Sequence, residues 1–75
     1  VKTNISATVT VDSEAIQSAD YLYENETLGL TFKNGDRYEY SKVPRFLFHG
    51  LQEAGSKGRF INRFVLSSNF SFKLA

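Results

Sequence analysis

Seventy-five residues without a cysteine make one domain with a thin core, no disulfide framework and no thiolate metal site. Nine Lys and Arg stand against eight Asp and Glu, a formal net charge of +1, so overall charge marks no partner. No apolar run is long enough to span a membrane, and residues 1–11 alternate instead of forming a signal-peptide core. These features predict a reducing, cytoplasmic setting.

In chain order, Ile5, Ala7, Val9 and Val11 alternate with polar residues, the pattern of a half-buried strand. Asp12, Ser13 and Glu14 break it. Ala19, Tyr21 and Tyr23 predict a second strand, and residues 24–26 a turn. Leu28, Leu30 and Phe32 predict a third, and residues 37–40 a fourth. Asn34-Gly35 between the last two is a strong hairpin signal.

The period then changes. Val43-Pro44 suits a helix start. Val43, Leu47, Leu51 and Ala54 share one helical face, and Gly55 is placed to cap the helix in a left-handed conformation. Gly50 inside it weakens the helix by about 1 kcal/mol relative to Ala, so close packing is the expected reason for it. Ser56 is placed to cap a second helix whose apolar face is Phe60, Ile61, Phe64 and Val65. Phe70, Phe72 and Leu74 alternate again, which fits either a further strand or an extended tail. The expected fold is α+β: a small antiparallel meander of three to four strands with two short helices packed on one face.

The hairpin FKNGDRYEY, residues 32–40, has two possible registers. A two-residue Asn34-Gly35 turn would place Tyr38 and Tyr40 opposite to Leu28, Leu30 and Phe32. A three-residue Lys33-Asn34-Gly35 loop with a bulge at Gly35 would put all five on one face. One residue of register decides it. The first alternative sets Arg37 and Glu39 under the helices, where burying charge is costly. The bulged register is therefore favoured, with Tyr38 and Tyr40 as structural aromatics of the core.

Little catalytic chemistry is legible. His49 is the one histidine, and a lone helical His reads as a surface or boundary residue. No carboxylate pair has a spacing that forces general acid–base geometry, and metal ligands are too few. The chain is expected to be no enzyme and to need no metal or cofactor. Residues 55–58, Gly-Ser-Lys-Gly, lack the spacing of a phosphate-binding loop between strand and helix. They read first as a helix–helix turn with a cap, and second as an anion seat.

Charge is unevenly spread. Residues 1–41 hold three basic against seven acidic side chains, and residues 42–75 hold six against one. The basic half either meets an anionic partner or answers the acidic half. Lys42, Arg45, Lys57, Arg59 and Arg63 form the candidate nucleic-acid-binding patch, with phosphates as the natural ligand; the alternative is a solvated face. Phe46 and Phe48 cannot both join the apolar helical stripe, so they are the candidate protein-interface residues. Phe46 either packs beneath the C-terminal tail or stands exposed beside Arg45.

In order along the chain come Leu28-x-Leu30-x-Phe32-x-Asn34-Gly35, Tyr38-x-Tyr40, Val43-Pro44 and Ser56-Lys57-Gly58-Arg59-Phe60-x-Asn62. This string resembles the KTSC domain, a small domain at the C-terminus of some lysyl-tRNA synthetases and in free-standing bacterial and phage proteins. The resemblance covers residues 11–66, with Tyr38-Glu39-Tyr40 matching the family's central Tyr-x-Tyr. It carries no catalytic activity, and it implies RNA binding only by association with synthetases. The family's tail is often basic, whereas residues 67–72 here are neutral and aromatic. The reading is thus a binding module for RNA or another polyanion. The rival is a protein-interaction module or phage-type inhibitor acting through exposed aromatics and sheet edges.

Overall fold

The computed structural model describes residues 6–11 and 13–75; the predicted strand start at Ile5 and the break at Asp12 lie outside them. Alternation builds four successive strands: β1 (Ser6–Thr10), β2 (Ile16–Leu22), β3 (Thr27–Phe32) and β4 (Arg37–Tyr40). Two helices follow, α1 (Arg45–Glu53) and α2 (Lys57–Ile61). The second runs on into a π-helical turn, Asn62–Leu66, and the chain closes with β5 (Phe72–Leu74). All neighbours pair antiparallel in the order β1-β2-β3-β4-β5. The α+β expectation holds, with five strands in place of three to four. The extra strand is the tail: Phe72 pairs with Tyr40 and Leu74 with Tyr38.

The hairpin takes the bulged register. Leu28 pairs with Tyr40, and Leu30 with Tyr38. Gly35 has φ +98°, a conformation that glycine adopts without a Cβ penalty. Its N–H donates to the Phe32 carbonyl at 3.0 Å, and the Phe32 N–H donates to the Asp36 carbonyl at 2.8 Å. Tyr38 and Tyr40 therefore lie on the core face, and Arg37 and Glu39 on the open face. A second bulge lies between Ile16 and Ser18 of β2. It resets the alternation, so Ile16 and Ala19, three apart in sequence, are both buried.

The core is a single cluster. From the sheet it takes Val11, Ile16, Ala19, Tyr21, Leu28, Leu30 and Tyr40, and from the other layer Val43, Phe48, Leu51, Ile61 and Val65. Phe48 stacks on Tyr21 with ring centroids 5.1 Å apart and planes 14° apart. Phe48 is 1% exposed. Its assignment to a protein interface is thus corrected: the ring carries more apolar area than Leu47 and takes the deeper place, leaving Leu47 half-buried. No helix among the described residues is long and apolar enough to cross a membrane.

The helix ends differ from their predicted forms. Pro44 stands outside α1 as an extended N-cap with ψ 148°, and Val43 before it is tied by both backbone groups to the sheet layer. The Val43 N–H donates to the Glu26 carbonyl at 2.9 Å, and its own carbonyl accepts from the Tyr21 hydroxyl. At the other end Ala54 leaves the helix in an extended conformation, φ −69° and ψ 139°. Gly55 has no positive φ, so the left-handed cap expected there does not form. Ser56 occupies the N-cap of α2, but its hydroxyl makes no capping bond. The close packing expected at Gly50 is present: an added Cβ would stand 2.9 Å from the tip of the Phe60 ring.

Tyr21 ties sheet to helix, and its removal has a measurable result. Tyr21→Phe keeps the ring but leaves the buried Val43 carbonyl without its hydroxyl donor. The expected loss is about 1–3 kcal/mol, read as a lower urea midpoint at unchanged slope. Burial also pushes the phenols of Tyr21 and Tyr40 above their ordinary pKa of 10.0. The unfolded chain therefore gives up those protons first as pH rises. The stability the neutral phenols hold is complete below pH 10 and drains away above it. Urea midpoints taken across this range are expected to fall on the alkaline side, by less in Tyr21→Phe.

Candidate nucleic-acid interface

Of the five predicted cations, Arg59 and Arg63 line one concavity, and Lys42, Arg45 and Lys57 are not in its wall. Lys42 and Arg45 lie at the start of α1, and Lys57, Arg59 and Arg63 beyond its end. The nine residues of α1, about 14 Å long at 1.5 Å per residue, lie between the two groups along the chain. Lys42 is exposed, at φ 58° in the β4–α1 connection. Arg45 sits over the Tyr23 ring, 6.0 Å from its centroid. Lys57 is half-buried, and its ammonium donates to the Ala54 carbonyl at 3.2 Å. It therefore closes the α1–α2 turn instead of facing a ligand.

Arg59 and Arg63 are both exposed. With Ala54, Gly55, Ser56, Phe60 and Phe64 they line a shallow concavity of about 280 Å³ whose wall has no carboxylate among the described residues. Among the described residues, no ion pair involves either arginine. Glu14 borders the neighbouring concavity on the far side of Arg59 without forming a salt bridge to it. Phe60 and Phe64 pack on each other with centroids 4.7 Å apart, and the Arg63 guanidinium lies 5.9 Å from the Phe64 centroid.

Phe64 is the residue that sequence reasoning misplaced. It was expected on the apolar face of the second helix, yet it is 42% exposed. The π-helical turn explains this. Its wider spacing, with the Ser67 N–H reaching the Asn62 carbonyl at 3.2 Å, keeps Val65 buried and turns Phe64 outward. The signal was present: Arg59-Phe60 and Arg63-Phe64 are the same dipeptide repeated four residues apart. Such a repeat places two guanidinium groups and two rings on adjacent stripes of one helix.

Phe46 is 71% exposed on α1, so it does not pack beneath the tail. On β5, Phe72 and Leu74 are also exposed, at 58% and 61%. His49 is exposed, its Nε2 lying 3.3 Å from the Tyr23 hydroxyl. Among the described residues, no three His, Asp or Glu side chains gather where a metal ion would be held.

Comparison with known proteins identifies the family. The model of the KTSC domain family matches residues 12–70. A protein of Tsukamurella paurometabola is 42% identical over 55 residues, which cover 73% of this chain and 82% of that protein. A lysine–tRNA ligase of Nostoc punctiforme is 34% identical over 62 residues, 83% of this chain but 11% of the ligase. The crystal structure of a KTSC domain protein from Yersinia pestis superposes with a TM-score of 0.76 at 29% identity. The match covers 95% of this chain and 99% of that one.

Proposed function

The chain belongs to the KTSC domain family, and on that footing we propose that it is a small non-catalytic module that binds RNA through the exposed face of α2 and its π-helical turn. The observation that carries this reading is the pair of Arg–Phe steps at Arg59-Phe60 and Arg63-Phe64, with no carboxylate among the described residues in the wall of their concavity. Guanidinium groups free of acidic partners take phosphate oxygens. An exposed ring beside them offers a face to an unpaired base. Relatives named as lysine–tRNA ligases contain a matching segment, which sets the segment beside tRNA chemistry. Lys42 and Arg45 join the contact only for a strand running the length of α1.

A second reading rests on a different observation. Phe46, Phe72 and Leu74 are large exposed apolar side chains, and β5 is an edge strand. Such groups suit a protein partner, and under this reading Phe46→Ala would abolish capture of that partner while Arg59→Ala plus Arg63→Ala would not. The deciding test is binding of the purified chain to a mixed tRNA pool and to single-stranded RNA across a salt series. Saturable binding that weakens steeply with salt supports the RNA reading. No binding at low salt overturns it in favour of the protein partner.

A further inference from the structure

The face of the sheet opposite the helices carries a second arrangement. Pairing sets its outward side chains in rows across the strands. One row runs Ser6, Leu22 and Thr27, and Ser41 extends it beyond β4. The next runs Asp20, Gly29, Glu39 and Lys73. The gap that Gly29 leaves is filled by Arg37, which reaches across from the row beyond. A Cβ built on Gly29 would stand 2.2 Å from Arg37 Nη2 and 2.7 Å from Cζ. Glycine is therefore what lets the guanidinium lie on the sheet.

The edges of that guanidinium are occupied. Nη1 and Nη2 donate to the two carboxylate oxygens of Asp20 at 2.8 and 3.0 Å. Nε donates to Glu39 at 3.4 Å, and Nη1 also to the Thr31 hydroxyl at 3.3 Å. A phosphate would have to compete with two carboxylates for the same N–H groups. What remains is the π-face of a fixed plane, with 34% of the side chain exposed.

Beside it lies a concavity of about 420 Å³ lined by Ser6, Leu22, Asn25, Thr27, Ser41 and the charged row. The charges of Asp20, Glu39, Arg37 and Lys73 cancel, so an uncharged ligand is favoured over an ion. Hydroxyls and one amide on the rim can read the polar edge of a flat ring. We infer that this concavity takes a nucleobase-type planar heterocycle, stacked on the Arg37 guanidinium and bordered by Leu22, Asn25, Thr27 and Ser41. Guanidinium planes and bases stack readily. The site is separate from the arginines of α2, and its test does not depend on them.

The experiment is a titration of the 15N-labelled chain with adenosine, which has a base but no phosphate, and with ribose as the control that lacks the base. Adenosine is expected to shift, saturably, the amides of Leu22, Asn25, Thr27, Gly29 and Ser41, whereas ribose shifts none. Arg37→Lys keeps the charge and loses the plane; it is expected to bind adenosine about tenfold more weakly, within the range of one stacked base. Gly29→Ala, which displaces the guanidinium, should weaken binding likewise. Arg59→Ala plus Arg63→Ala should leave adenosine binding unchanged even if it abolishes RNA binding. Equal shifts with ribose, no shifts on this face, or wild-type affinity in folded Arg37→Lys would overturn the inference.

Discussion

Phe48→Ala is expected to lower the urea midpoint of the purified chain sharply, while Phe46→Ala, two residues away, leaves it as stable as before. Truncating a buried Phe costs roughly 3–5 kcal/mol. A chain of this length holds about 4–11 kcal/mol in all, at roughly 0.05–0.15 kcal/mol per residue. Phe48 is 1% exposed, and its ring lies parallel to that of Tyr21. Removing it opens a cavity between sheet and helix and takes away the surface on which Tyr21 rests. Phe46 is 71% exposed, and substitutions of that kind change stability by about 0.5 kcal/mol or less. Far-UV circular dichroism in urea separates the two. Equal midpoints would mean that α1 is not oriented as described.

The second large effect concerns binding. Arg59→Ala plus Arg63→Ala removes two candidate phosphate contacts that have no ion-pair partner among the described residues. For single-stranded RNA each neutralised phosphate adds about 0.7 to the slope of log affinity against log salt. The double variant is therefore expected to lose about 1.4 from that slope. Folding should be unaffected, because both side chains are exposed and neither bonds to the core. Phe64→Ala is expected to weaken binding without changing the slope, since stacking releases no counterions. This difference between charge and stacking is readable in one titration series.

The parts of the fold legible in the sequence were those fixed by local pattern. The hairpin register followed from the cost of setting Arg37 and Glu39 under helices, and Leu28 and Leu30 do pair with Tyr40 and Tyr38. Gly50 announced close packing, and Phe60 supplies it. Features decided by tertiary contact were not legible. Gly55 had the right position for a left-handed cap, yet the chain leaves α1 extended at Ala54. Phe46 and Phe48 looked alike until Tyr21 supplied a stacking partner for one of them. The pattern of Phe70, Phe72 and Leu74 was readable, but its role depended on β4 offering a free edge. For the candidate site, cation types were legible and their grouping was not. Of five positions near one another in sequence, Arg59 and Arg63 share one concavity, and Lys57 is spent on the Ala54 carbonyl.

The claim that the Arg–Phe face binds RNA is most directly tested by a charge-matched comparison. Lys33→Glu in the exposed hairpin loop changes net charge by the same two units as Arg59→Ala plus Arg63→Ala. The two variants and the parent chain are titrated with single-stranded RNA across one salt series. The account predicts that Lys33→Glu keeps most of the parent's slope and affinity, while the double arginine variant loses both. Equal losses in the two variants would contradict it, because binding would then follow overall charge and not that face.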